Sequence, residues 1–162
     1  MIRPLTQNQR SLASIASTIG ATSELTASDL EKIAITGITS SSSDVEPGDL
    51  FCAFAGEKVH GASFATDAIK SGAVAILTDA EGAKKIKGLP VLVVTNARKS
   101  AAILTSWFYG EPMRDLFSIG ITGTNGKTTV STLCHQILQN AGQESGLIGT
   151  VETRIGNEVL TS

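Results

Sequence analysis

Apolar positions along the chain recur at two alternating spacings. Leu12, Ile15, Ala16 and Ile19 stand three and four residues apart, which predicts an amphipathic helix over residues 9–19, closed by Gly20. Residues 31–38 alternate and carry the β-branched Ile33 and Ile35, so they read as a strand. Ser40 to Ser43 and then Pro47-Gly48-Asp49 form a loop and turn, because Ser and Asp side chains compete for backbone groups and Pro-Gly interrupts regular structure. Residues 50–55 form a strand, 56–61 a loop, 62–70 a helix and 73–78 a strand. Residues 91–95 are a further strand and 97–109 a helix with Ala101, Leu104 and Phe108 on one face. Apolar strands separated by helices predict an α/β domain whose sheet is covered on both sides. Gly110-Glu111-Pro112 marks a boundary, giving domains 1–111 and 112–162. Beyond it, residues 116–122 read as a strand. Val130, Leu133, Cys134, Ile137, Leu138 and Ala141 form the apolar stripe of a helix over 127–141, stopped by Gly142. Strand-like pieces follow at 145–148, 151–155 and 158–160, read as the start of a parallel sheet.

Composition narrows the classes. The 162 residues carry 13 Lys+Arg against 15 Asp+Glu, a net charge of −2, with 41% hydrophobic and 17% charged residues. That is too apolar for a disordered chain and lacks the basic excess of a nucleic-acid binder. The length fits one medium domain, or a small one and part of another. No apolar run is long enough to span a bilayer, and the first residues lack a signal-peptide stretch, so no membrane insertion is expected. Two cysteines, Cys52 and Cys134, make neither a disulfide framework nor a metal set and suit a reducing, cytoplasmic compartment.

The chemistry concentrates after the boundary. The expected strand runs into Gly123-Thr124-Asn125-Gly126-Lys127-Thr128-Thr129 and then into the helix. In that context glycines bring backbone N–H groups close to phosphate oxygens, and the helix dipole favours the anion. Lys127 is the catalytic candidate, neutralising phosphate charge, and the Thr128 hydroxyl is the candidate ligand for Mg2+. The residue five places before Gly126, a glycine in a standard phosphate loop, is Ile121, flanked by Gly120 and Gly123.

The run from Gly120 to Thr129 resembles the ATP loop of the Mur ligases and their folate-adding relatives. The run from Pro47 to Gly56, with His60-Gly61, resembles the N-terminal nucleotide-sugar domain of two branches of that family. Gly146-Leu147-Ile148-Gly149-Thr150-Val151 favours the branch that adds the third residue of the peptidoglycan stem over the branch that adds the terminal dipeptide. The resemblance implies a mixed-sheet N-terminal UDP-sugar domain followed by the start of a P-loop-type central ATP domain. It implies ATP-dependent amide-bond formation on UDP-MurNAc-L-Ala-D-Glu through an acyl phosphate, with ATP and Mg2+ as cofactors and diaminopimelate or lysine as the amino acid. ATP contacts fall on Gly123, Thr124, Asn125, Gly126, Lys127, Thr128 and Thr129. UDP contacts fall on Ser40, Ser42, Glu57, Lys58 and Val59. An Asp-Ser-Arg triplet common in the family is replaced here by Ser41-Ser42-Ser43, which removes a bidentate donor.

A dipeptide-adding ligase and a non-catalytic UDP-sugar or ATP module are the competing readings. Family members run to about three ordinary domains, so the 162 residues read as an N-terminal portion that does not ligate by itself. His135 lies off the apolar stripe and is expected at the surface, whereas His60 is expected to be structural. Trp107, Phe108 and Tyr109 are expected to pack at the domain junction, and the cysteines to behave as small hydrophobes.

Overall fold

A computed structural model describes residues 8–156 and 158–161, and the chain separates into two compact units, Met1–Leu116 and Phe117–Ser162. In the first unit, strand β1 (Arg10–Ser11) runs directly into helix α1 (Leu12–Ile19). The Ser11 side chain caps that helix by accepting from the Ser14 N–H at 3.2 Å. Helix α1 therefore starts later than its apolar spacing suggests, but Gly20 ends it in the left-handed conformation as expected.

The stretch 31–38 is not one strand. Helix α2 (Ala27–Glu31), capped by Thr26, takes its first residue. Two short strands follow, β2 (Ala34–Ile35) and β3 (Gly37–Thr39). Strand β2 pairs antiparallel with β1 as a separate ribbon, and β3 joins the main sheet. The alternation was legible; the change of partner at Thr36 was not, because it depends on which neighbour each half meets.

The main sheet has the order β3–β4–β5–β6 and is parallel throughout, with β4 (Asp49–Cys52), β5 (Ala75–Thr78) and β6 (Val91–Val93). Helix α3 (Ala65–Lys70), entered through a 3-10 turn at Gly61–Phe64, follows β4. The short helix α4 (Ala80–Ala83), which the sequence pattern did not reveal, follows β5, and α5 (Ala97–Phe108) follows β6. One face of the sheet buries Leu50, Cys52, Leu77 and Leu92 with Leu12, Ile15, Leu104 and Phe108 of α1 and α5. The other buries Phe51, Ala53 and Ile76 with Ala62, Ala65 and Ala68. Two covered faces explain the unbroken apolar strands. Helix α5 closes on Gly110, with the Glu111 N–H donating to the Ser106 carbonyl at 2.7 Å. Trp107 and Tyr109 pack against the core of this same unit, and the Arg10 guanidinium lies 5.2 Å from the Trp107 ring.

The second unit departs further from expectation. Residues 116–122 form no strand; Phe117 is 93% exposed. A strand needs a neighbour for its N–H and C=O groups, and none of the described residues supplies one. Helix α6 (Lys127–Asn140) forms as expected, and three strands follow: β7 (Gly146–Ile148), β8 (Glu152–Ile155) and β9 (Glu158–Thr161). They make an antiparallel meander rather than a parallel sheet. The links between them are too short for a parallel crossover, which needs about a dozen residues. Helix α6 turns His135 toward β7 and leaves Val130, Leu133 and Ile137 exposed. His135 is 5% exposed, not the surface residue expected. Its Nδ1 lies 2.9 Å from Ser145 Oγ, and Gln139 Nε2 donates to the same hydroxyl at 3.2 Å, partners that the apolar stripe has no means to use.

Candidate functional site

In a parallel sheet every strand ends on the same edge, so the loops after β3, β4, β5 and β6 share one rim. Ligands of open α/β sheets bind at such a rim. Register brings the first two loops together, because Thr39 at the end of β3 lies opposite Phe51 in β4. Ser40 follows β3 and is exposed; Ser42 opens a 3-10 turn (Ser42–Asp44) and is half-buried. The buried Thr39 anchors this loop, accepting from the Ser41 N–H at 3.2 Å, and the Ser41 and Ser43 hydroxyls bond at 2.8 Å. The outer two of the three serines that stand in place of the Asp-Ser-Arg triplet are thus joined to each other.

The loop after β4 carries Glu57, Lys58 and Val59, all exposed. It is closed at its base by a bridge between Ala55 and His60 and by the Gly56 N–H donating to the Val59 carbonyl at 3.2 Å. His60 connects it to the end of β5. The Ala62 N–H donates to Nδ1 at 3.0 Å, so the ring proton sits on Nε2, which lies 3.2 Å from both carboxylate oxygens of Asp79. Asp79 also accepts from the Gly82 N–H at 2.8 Å. That backbone bond, with His60 as a further cause, holds its carboxyl below the usual carboxylate range. Sequence reading had only the His-Gly pair as a sign here; Asp79 was missed, since nothing local links it to a residue 19 positions away. On the other side of the rim the Arg98 guanidinium lies 5.1 Å from the Phe54 ring.

In the second unit the glycine-rich loop leads into α6. Gly126 caps the helix at φ 78°, a conformation open to glycine, and no side chain occupies the cap. The first helical bond is from the Val130 N–H to the Gly126 carbonyl at 2.9 Å. Among the described residues, the N–H groups of Lys127, Thr128 and Thr129 therefore stand free at the positive end of a helix of 14 residues. Lys127 Nζ folds back to donate to the Gly123 carbonyl at 2.5 Å, spanning the loop it is expected to serve. Gly123, Thr124, Asn125, Thr128 and Thr129 are all exposed. This set of uncapped N–H donors, the Lys127 ammonium and the threonine hydroxyls, with Thr128 next to Lys127, fits a polyphosphate with its magnesium. The described residues contain no cluster of His, Cys, Asp and Glu able to hold a metal ion unaided. An open groove of about 430 Å³ lies elsewhere in this unit, lined by His135, Gln136, Gln139, Asn140, Arg154 and Gly156. Among the described residues no helix is long and apolar enough to cross a membrane.

Comparison with known proteins matches both segments. Residues 34–105 match the model described as "Mur ligase family, catalytic domain", and residues 121–162 match the Mur ligase middle domain. The chain is 46% identical over 162 residues to a UDP-N-acetylmuramoyl-L-alanyl-D-glutamate--2,6-diaminopimelate ligase of Streptomyces avermitilis, covering 99% of this chain and 31% of the relative. A protein of the same name from Listeria monocytogenes is 44% identical over 131 residues, 80% of this chain and 26% of the relative. The chain thus spans about a third or less of the length of these relatives. A solved structure of a ligase with that name matches with a TM-score of 0.65 at 22% identity, covering 93% of this chain and 30% of that one. MurF ligase from Thermotoga maritima in complex with ADP matches with a TM-score of 0.50 at 27% identity, over 64% of this chain and 23% of that one.

Proposed function

The chain belongs to the Mur ligase family, and from that premise we propose that it supplies the N-terminal domain and the opening of the central domain of an ATP-dependent amide ligase. The reaction is addition of the third amino acid to UDP-MurNAc-L-Ala-D-Glu. The names of the relatives favour diaminopimelate over lysine. The observation that carries this reading is 46% identity over an alignment of 162 residues that takes in both units.

The division of labour follows from the residues. The rim loops, with Ser40 and Ser42 on one and Glu57, Lys58 and Val59 on the other, hold the uridine nucleotide by backbone groups, hydroxyls and one ammonium. Gly123 to Thr129 hold ATP, and ADP in the Thermotoga maritima ligase supports that choice of nucleotide. A carboxylate is a poor electrophile at neutral pH. The D-glutamyl carboxylate of the dipeptide attacks the γ-phosphorus of ATP, ADP leaves and an acyl phosphate forms, and the amine of the incoming amino acid then displaces phosphate to give the amide. Lys127 and the free N–H groups of α6 orient the triphosphate and offset the charge spread over its oxygens. The Thr128 hydroxyl would serve as one ligand of a magnesium ion, which would supply further charge neutralisation when bound. The 162 residues match about a third of the length of such a ligase, and the activity proposed is that of the whole ligase. The work suits the cytoplasm, where nucleotide-linked precursors and ATP meet.

Amide NMR on the 162-residue chain tests the assignment. UDP is expected to shift Ser40, Ser42 and the 57–59 loop, and ATP with magnesium to shift Gly123 to Thr129. Shifts by UDP confined to the glycine-rich loop would contradict it.

A further inference from the structure

The nucleotide loop after β4 has little to hold it. Glu57, Lys58 and Val59 are exposed, and neither charged residue makes an ion pair among the described residues. What fixes the loop is its base. There the Gly61 N–H donates to the Phe54 carbonyl at 2.6 Å, and His60 bridges to Ala55. The His60 side chain, only 10% exposed, then ties that base to a different strand end through Asp79. Two further features hold the ring. A Cβ at the buried Gly82 would stand 2.6 Å from His60 Cε1, so α4 presents bare backbone to the imidazole. Thr78 Oγ1, beside Asp79, donates to the Ala53 carbonyl at 2.9 Å and joins the ends of β4 and β5.

We propose that His60 is a positioning residue for the uridine nucleotide: its Nδ1 caps the turn that follows the loop, its Nε2–H is held by Asp79, and the two bonds together preorganise the Glu57–Lys58–Val59 backbone before ligand arrives. This rests on the reading of that loop as part of the nucleotide site. Order present before binding does not have to be imposed at binding, so its loss appears as weaker affinity. A side chain that served only as a helix cap would need only an acceptor at the Nδ1 position.

Two variants separate these roles. His60→Asn keeps a cap acceptor for the Ala62 N–H but does not reach Asp79. Asp79→Asn keeps an oxygen both for the Gly82 N–H and for Nε2–H. The measurements are amide hydrogen exchange at Gly56 and Gly61 in the free chain, and UDP affinity by NMR titration. His60→Asn is expected to speed exchange at both glycines and to weaken UDP by about tenfold or more, as loss of a charge-assisted hydrogen bond does. Asp79→Asn, made in the parent chain, leaves a neutral acceptor for Nε2–H and is expected to keep both measurements closer to the parent than His60→Asn does. Exchange and UDP affinity unchanged in His60→Asn, with the parent loop responding to UDP, would overturn the positioning role alone. If the parent loop does not respond to UDP at all, the nucleotide reading falls, and the positioning role falls with it.

Discussion

Cys52 ends β4 with its side chain enclosed between the sheet and its covering helices, and burial pushes its thiol up to about 12. A thiolate is the reactive form, so Cys52 stays inert to a thiol reagent at pH 8. Cys134, partly exposed on α6, is the residue expected to react. One rapid equivalent of labelling is predicted for the native chain, mapped to Cys134 by mass spectrometry, with the second appearing on denaturation. The sign for stability follows from linkage. The folded state holds the Cys52 proton more tightly than the unfolded state does, so this contribution is complete below pH 9 and is lost as pH rises from there toward 12. Rapid labelling of Cys52 at pH 8 would mean that β4 is not enclosed.

Among the elements, α5 shows most clearly how spacing becomes packing. Ala97, Ala101, Leu104 and Phe108 recur at i, i+4, i+7 and i+11, and all four are buried against the sheet. Leu104→Ala empties the middle of that contact and should lower stability by about 2–5 kcal/mol in denaturant unfolding followed by circular dichroism. A loss below 1 kcal/mol would place α5 elsewhere. Helices α1 and α5 were readable because sequence and burial share one period, and strands β4, β5 and β6 because each is an apolar run covered on both faces. The short pieces were not. Helix α4 spans four residues and carries no period, and residues 31–38 change partner midway. On α6 the apolar stripe is real in sequence, yet the face turned to β7 is chosen by His135 and Gln139, whose hydrogen-bond partner Ser145 lies beyond the helix. The candidate site divides in the same way. The glycine-rich loop is legible because its chemistry is contiguous from Gly123 to Thr129. Asp79 is not, because only the parallel register brings the end of β5 beside the loop after β4.

At the scale of the whole molecule, the proposed function assigns a uridine nucleotide to the rim of the first unit and a triphosphate to the helix start of the second. The most direct measurement is ADP release by a ligase in which these 162 residues replace the matching segment of the Streptomyces avermitilis relative. ADP is predicted to appear only when ATP, magnesium, UDP-MurNAc-L-Ala-D-Glu and diaminopimelate are all present. Lys127→Ala is predicted to lower the rate by about a thousandfold, on the order of 4 kcal/mol of transition-state stabilisation. Release that follows a tripeptide precursor and a dipeptide amine instead, or that is unchanged by Lys127→Ala, would contradict the account.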